Sequence, residues 1–124
     1  MRWGAHAAAI EIAVTGLILL ISPALFGRLV FAAEMSEPGP ALGRLTGIAL
    51  LGFALTSWPI PSARPVVRAM LIYNLIATAY LSYLGIVGNL VGVLLWPAVA
   101  LHLSLAGLLT AQSLVPIQSE RKRR

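Results

Sequence analysis

Three polar side chains stand where water is scarce, each interrupting a long apolar run: Glu11 and His102, which can hold a proton, and Asn74, which can hydrogen-bond to them. An ionised carboxylate only accepts hydrogen bonds, a neutral imidazole has one donor and one acceptor nitrogen, and an amide offers both. An ionisable residue within hydrocarbon costs about 2.5–3.5 kcal/mol on insertion scales, so these few positions are the best pointers to function. If they converge, Asn74 could donate to Glu11, while His102 donates through one ring nitrogen and accepts through the other. Such a cluster could carry protons or grip a polar headgroup. The plainer reading is a staple between helices, since intramembrane hydrogen bonds are worth about 0.6 kcal/mol each on average.

The elements that position these residues follow from composition. The chain has 124 residues, 59% apolar and 10% charged, with no cysteine. A soluble domain carries about a quarter charged residues, so this chain cannot cover a wetted globule. Its class is all-α, a polytopic four-transmembrane-helix bundle, each span needing about 20 apolar residues. The lack of cysteine excludes disulfides, thiolate metal sites and thiol nucleophiles. The spans are expected at about 5–22, 41–58, 66–87 and 90–114, in a single domain with a short basic tail at 115–124. Ser22-Pro23 perturbs the first span, and 23–33 forms an interfacial turn. Phe31-Ala32-Ala33 resembles a cleavage site, but the preceding apolar run is long and holds Glu11, so retention as a span is expected. A Pro- and Gly-rich link covers 34–40. Pro59, Pro61 and Pro65 separate the second and third spans, with Ser62 as a cap, and Gly88-Asn89 allows a tight reversal. Pro97 is expected to kink the fourth span.

Arg2, Arg64, Arg68, Arg121, Lys122, Arg123 and Arg124 all fall on the side that holds both termini, leaving Arg28 and Arg44 on the other. Positively charged loops stay in the cytoplasm, so both termini are expected there. The net charge of +5 is then mainly a topology signal and implies no nucleic acid. The tail Arg121, Lys122, Arg123 and Arg124 can also contact anionic lipid headgroups, at about 1 kcal/mol per cation. Helical rise puts Glu11 about 9 Å, Asn74 about 12 Å and His102 about 18 Å inside the cytoplasmic boundary.

The third span offers two stripes. Asn74, Ala77, Thr78, Leu81, Ser82 and Gly85 form a small, polar face suited to close packing. Tyr73, Ile76, Tyr80, Tyr83 and Val87 form a larger one, where tyrosines could line a flat pocket for a quinone, carotenoid or porphyrin, or serve as interfacial anchors like Trp3 and Trp58. Tyr73 and Tyr80 therefore join the site candidates. A buried histidine could ligate a tetrapyrrole metal, but His6 is the only other histidine and lies near the surface. No conventional metal site is expected, because Glu34 and Glu37 have no further ligand beside them. Gly43 and Gly47 form a GxxxG pair, and Gly85, Gly88 and Gly92 cross the last reversal.

The runs Gly43-Arg44-Leu45-Thr46-Gly47-Ile48-Ala49-Leu50-Leu51 and Leu94-Leu95-Trp96-Pro97-Ala98-Val99-Ala100-Leu101-His102, with Tyr73-Asn74 and Tyr83-Leu84-Gly85, resemble small bacterial four-helix membrane proteins, DoxX-like in build. The resemblance covers most of the chain and implies a four-span bundle in a bacterial inner membrane, with no catalytic residues to carry over. Small multidrug resistance transporters are similar in length, span count and a first-helix carboxylate, here Glu11, but the later motifs of that group are absent and the cation bias departs from its dual topology. Two functions are expected. One is a non-catalytic accessory or structural subunit packing against other membrane helices or itself. The other is a dimeric small-solute or proton-coupled transporter using Glu11, with His102 and Asn74 beside it. An enzyme is not expected, because one Glu and one buried His supply no nucleophile, base and acid set.

Overall fold

A computed structural model describes residues 3–58 and 63–121, with side chains through residue 114. Among the described residues five α-helices are formed: α1 Trp3–Ile21, α2 Pro23–Phe26, α3 Gly39–Ser57, α4 Arg64–Ile86 and α5 Leu95–Arg121. No strand occurs among the described residues. Pro59, Pro61 and Ser62, expected to separate two spans, lie outside the described residues, as do Arg2 and the side chains of Arg121, Lys122, Arg123 and Arg124.

Four helices are long and apolar enough to cross a membrane: α1, α3, α4 and the Leu95–Leu114 part of α5, with 19, 19, 23 and 20 residues. At 1.5 Å per residue each is about 30 Å long, the thickness of a bilayer core. The bundle is greasier outside than inside. Ala5, Ala8 and Ala9 are fully buried, whereas Ile10, Val14, Leu17 and Ile21 on the same helix face outward. Small residues inside let helices approach, and large apolar ones cover the rim.

The helices associate as two antiparallel pairs, α1 with α3 and α4 with α5, joined mainly through α1 and α5. The first pair depends on bare backbone. A Cβ on Gly47 would sit 2.6 Å from the Gly16 carbonyl oxygen and 2.7 Å from the Leu20 nitrogen, and one on Gly43 would sit 2.8 Å from Pro23. The Gly43–Gly47 motif is thus spent inside the chain, on α1. The second pair closes similarly, with Gly85 against Leu95 and Trp96. Near the chain ends, the Ala5 backbone nitrogen donates to Gln112 Oε1 at 3.2 Å, tying the start of α1 to α5. Its neighbours Ala8, Ile12, Met70, Leu105 and Leu109 form a continuous core in that half of the bundle.

The connections differ in detail from the expectation. Ser22 does break the first helix, and α2 follows at Pro23, then widens into a π-helical turn over Gly27–Phe31 that Ala32 ends in the left-handed region at φ 53°. Such a turn leaves its last carbonyls unused. They are taken by another part of the chain: Gly92 N donates to Val30 O at 2.9 Å, and Leu94 N to Leu29 O at 2.8 Å. Residues 90–94, expected as the start of the fourth span, are therefore not helical, and α5 begins at Leu95. Only glycine fits at 92, since a Cβ there would run into the Leu29 carbonyl. The kink expected at Pro97 is corrected by the same shift: Pro97 lies in the first turn of α5, where its missing N–H has no helical partner to lose. The last helix also continues as far as Arg121, beyond the expected end of the span.

Gly47→Ala should destabilise the protein by about 1–3 kcal/mol, because neither backbone atom it meets can retreat. Gly52→Ala, where a Cβ meets nothing within 4 Å, should stabilise it by about 0.5–1 kcal/mol. Opposite shifts in the chemical unfolding midpoint of the two variants check the pair.

Candidate functional site

Glu11 on α1, Asn74 on α4 and His102 on α5 meet, and a backbone atom sets their order. Asn74 Nδ2 donates to the Met70 carbonyl one turn earlier, at 2.8 Å. A carbonyl only accepts, so the amide nitrogen must face Met70 and the amide oxygen must face away. That oxygen lies 2.9 Å from His102 Nδ1. Opposite an acceptor, Nδ1 carries the proton, which leaves Nε2 to Glu11. Nε2 stands 3.8 Å from Glu11 Oε1, and each of the two side chains is only 8% exposed. Thr15, one turn on from Glu11, donates to the same Oε1 at 2.8 Å. Glu11 Oε2 is buried with no hydrogen-bond partner among the described residues.

The expected donation from Asn74 to Glu11 is not made, because the amide's donor is committed to Met70 and its acceptor to His102. Tyr73 joins the group through its ring. It packs edge to face with His102 at 5.7 Å and with Phe53 at 6.4 Å, which restrains the imidazole plane. Tyr80 lies two turns further along α4, 59% exposed and stacked on Tyr83 at 6.4 Å. The tyrosine stripe therefore divides: Tyr73 is half-buried at the polar cluster, whereas Tyr80 and Tyr83 face outward.

The polar cluster forms one end of a cavity of about 650 Å³ between the two helix pairs. Glu11, Thr15, Tyr73 and His102 border it there, and Leu19, Leu50, Ala77, Leu81 and Ala98 form apolar walls. Phe26, Phe31, Met35 and Leu94 border its far end, with the two phenylalanine rings edge to face at 5.8 Å. The cavity thus occupies the half of the bundle away from the chain ends, and the Ala8, Ile12, Met70 and Leu109 core fills the other half. Exposed Ile18, Tyr80 and Leu101 among the lining residues mark an opening on the side of the bundle.

Nδ1 of His102 is held by Asn74, and Nε2 stands on the side of Glu11 Oε1 without a finished hydrogen bond to it. Among the described residues no group of three metal-ligating side chains exists. Glu34 lies 3.7 Å from Arg28 on the exposed link. Thr15, Met35 and the two phenylalanines were not expected at a site. Thr15 alone carried a legible signal, the four-residue spacing from Glu11 that puts side chains together on a helix.

Comparison of the chain with protein families, with curated proteins and with solved structures finds no match.

Asn74→Leu should leave His102 Nδ1 without its acceptor. The ring ¹⁵N spectrum is expected to change from a single Nδ1–H form in the wild type to a mixture of tautomers, with a stability loss of about 1–3 kcal/mol.

Proposed function

We propose that the protein is an integral membrane protein of four spans, α1, α3, α4 and α5, with both termini on the cytoplasmic side of a bacterial inner membrane, and that it moves a small solute coupled to a proton at Glu11 and His102. The observation that carries this reading is Glu11, whose buried Oε2 has no hydrogen-bond partner among the described residues, whose Oε1 stands beside an imidazole, and whose side chain borders a cavity. A staple would be complete in itself. A buried acceptor left without a donor costs about 1–3 kcal/mol or more, and a glutamine at this position could supply a donor of its own. The 3.8 Å between Nε2 and Oε1 is too long for a finished hydrogen bond and near enough for a proton to be shared after a small movement. Outward-facing Ile10, Leu45, Ile48, Ile72 and Leu103 suit hydrocarbon on every side. The cation bias supports the orientation, with Arg121, Lys122, Arg123 and Arg124 against anionic headgroups.

A second reading is a non-catalytic accessory subunit, favoured by α3. That helix packs chiefly on α1 and turns Leu42, Leu45, Ile48 and Leu55 outward, with open space above Gly52. The same face would carry a second copy in the first reading and a different membrane subunit in the second.

Two experiments check the proposal. The chain has no cysteine, so Ser36→Cys introduces a unique label site on the exposed link before α3. An impermeant maleimide is expected to label it in intact cells, and labelling only after lysis would invert the topology. In proteoliposomes, wild-type protein should take up solute from a mixture of metabolites when a pH gradient is imposed. Glu11→Gln should lower that gradient-driven uptake at least tenfold while its unfolding midpoint stays close to wild type. Equal uptake by both proteins would end the proton role of Glu11.

A further inference from the structure

The cavity has one polar end and a long apolar remainder, and the chemistry of the polar end is one-sided. Among the described residues, Glu11 is the only charged one lining it apart from the ionisable His102, and no arginine or lysine borders it. Around the carboxylate, Thr15 spends its donor on Oε1 and His102 spends Nδ1–H on Asn74, while Tyr73 borders the cavity and its hydroxyl makes no hydrogen bond to Glu11. What the site lacks is a donor for Oε2. A volume of about 650 Å³ falls in the range of small-molecule sites, about 300–1,000 Å³.

Resting on the reading that the Glu11 site binds solute, the geometry points to the class of that solute: a lipid-soluble amphiphile whose head group donates a hydrogen bond, an alcohol or an amine, with an unbranched or ring-bearing apolar body. The head donates to the Glu11 carboxylate, and the body lies along Leu50, Ala77, Leu81 and Ala98 toward Phe26 and Phe31. Anionic heads, a fatty acid carboxylate or a lipid phosphate, are refused. They bring an acceptor and a negative charge to the Glu11 carboxylate, and no arginine or lysine among the described residues borders the cavity to offset them. Entry is lateral, past Ile18, Tyr80 and Leu101, from the half of the bundle away from the termini. The packed Ala8, Ile12, Met70 and Leu109 half closes the other direction.

The test uses the purified full chain in mild detergent and three matched probes, dodecanol, dodecylamine and dodecanoate, with bound fractions read by native mass spectrometry. The alcohol and the amine are expected to bind, and dodecanoate at least tenfold more weakly than the alcohol. Glu11→Met, which keeps the bulk and removes the acceptor, should weaken the alcohol and the amine tenfold or more. Ala77→Trp fills the cavity from α4 without touching the hydrogen-bonded groups, and should abolish binding of all three probes. Dodecanoate binding as well as dodecanol would overturn the assignment, as would undiminished alcohol and amine binding by Glu11→Met. If Glu11→Met does not fold, the wild-type probe ranking and Ala77→Trp decide the matter without it. Donor-selective binding with no gradient-driven uptake would remove the transport reading and leave this inference standing. Uptake of a solute lacking any donor, lost in Glu11→Gln, would do the reverse.

Discussion

The Met70 carbonyl is the least conspicuous atom at the site, and the arrangement there depends on it. Because it can only accept, it decides which end of the Asn74 amide faces α5, and so which nitrogen of His102 keeps its proton. The imidazole is then presented to Glu11 with one edge already spoken for. A side-chain relay assembled from three helices is thus indexed to a main-chain atom of α4, whose position the helix itself holds. Rotation of any one ring or amide would leave a buried polar atom without its partner, which is the physical reason the group has a single ordered arrangement.

Around that relay the bundle divides into a solid half and a hollow half. Alanines near the start of α1 and glycines at the crossing with α3 bring backbones close, and the resulting core leaves no room for a ligand beside the chain ends. Toward the other end, α2 and the π-helical turn carry the chain across the top of the two pairs, and larger side chains bound a space they do not fill. Glu11 sits where the two regimes meet, about 12 Å along α1. A carboxylate at that boundary can exchange with a bound molecule on one side only.

Much of this was legible in the sequence. Long apolar runs interrupted by proline and glycine specify four long helices, and the rarity of polar residues within them singles out Glu11, Asn74 and His102. What periodicity could not supply was the direction of each hydrogen bond. Asn74 was read as a donor to Glu11, yet it is held by a carbonyl on its own helix, and helix spacing carries no information about which lone pairs are already taken. The start of α5 was misplaced for a related reason. Residues 90–94 are apolar enough for a helix, but the backbone N–H groups of Gly92 and Leu94 are claimed by the carbonyls of Val30 and Leu29, some sixty residues away in the chain. The cavity itself had no signature, since most of its walls are the same leucines and alanines that elsewhere face outward.

That pairing of Leu29 and Val30 with Gly92 and Leu94 separates two properties that proteins often entangle. The far end of the cavity is fastened by main-chain hydrogen bonds, and only Gly92 is constrained in residue type by the closeness of the strands of chain it joins. The side chains of Phe26, Phe31, Met35 and Leu94 contribute bulk to the cavity, while the fastening runs through main-chain atoms alone. Exchange of these four for smaller or differently shaped apolar residues reshapes the chamber and leaves its closure in place, so the length and breadth of the cavity can change while the Glu11 and His102 end stays untouched.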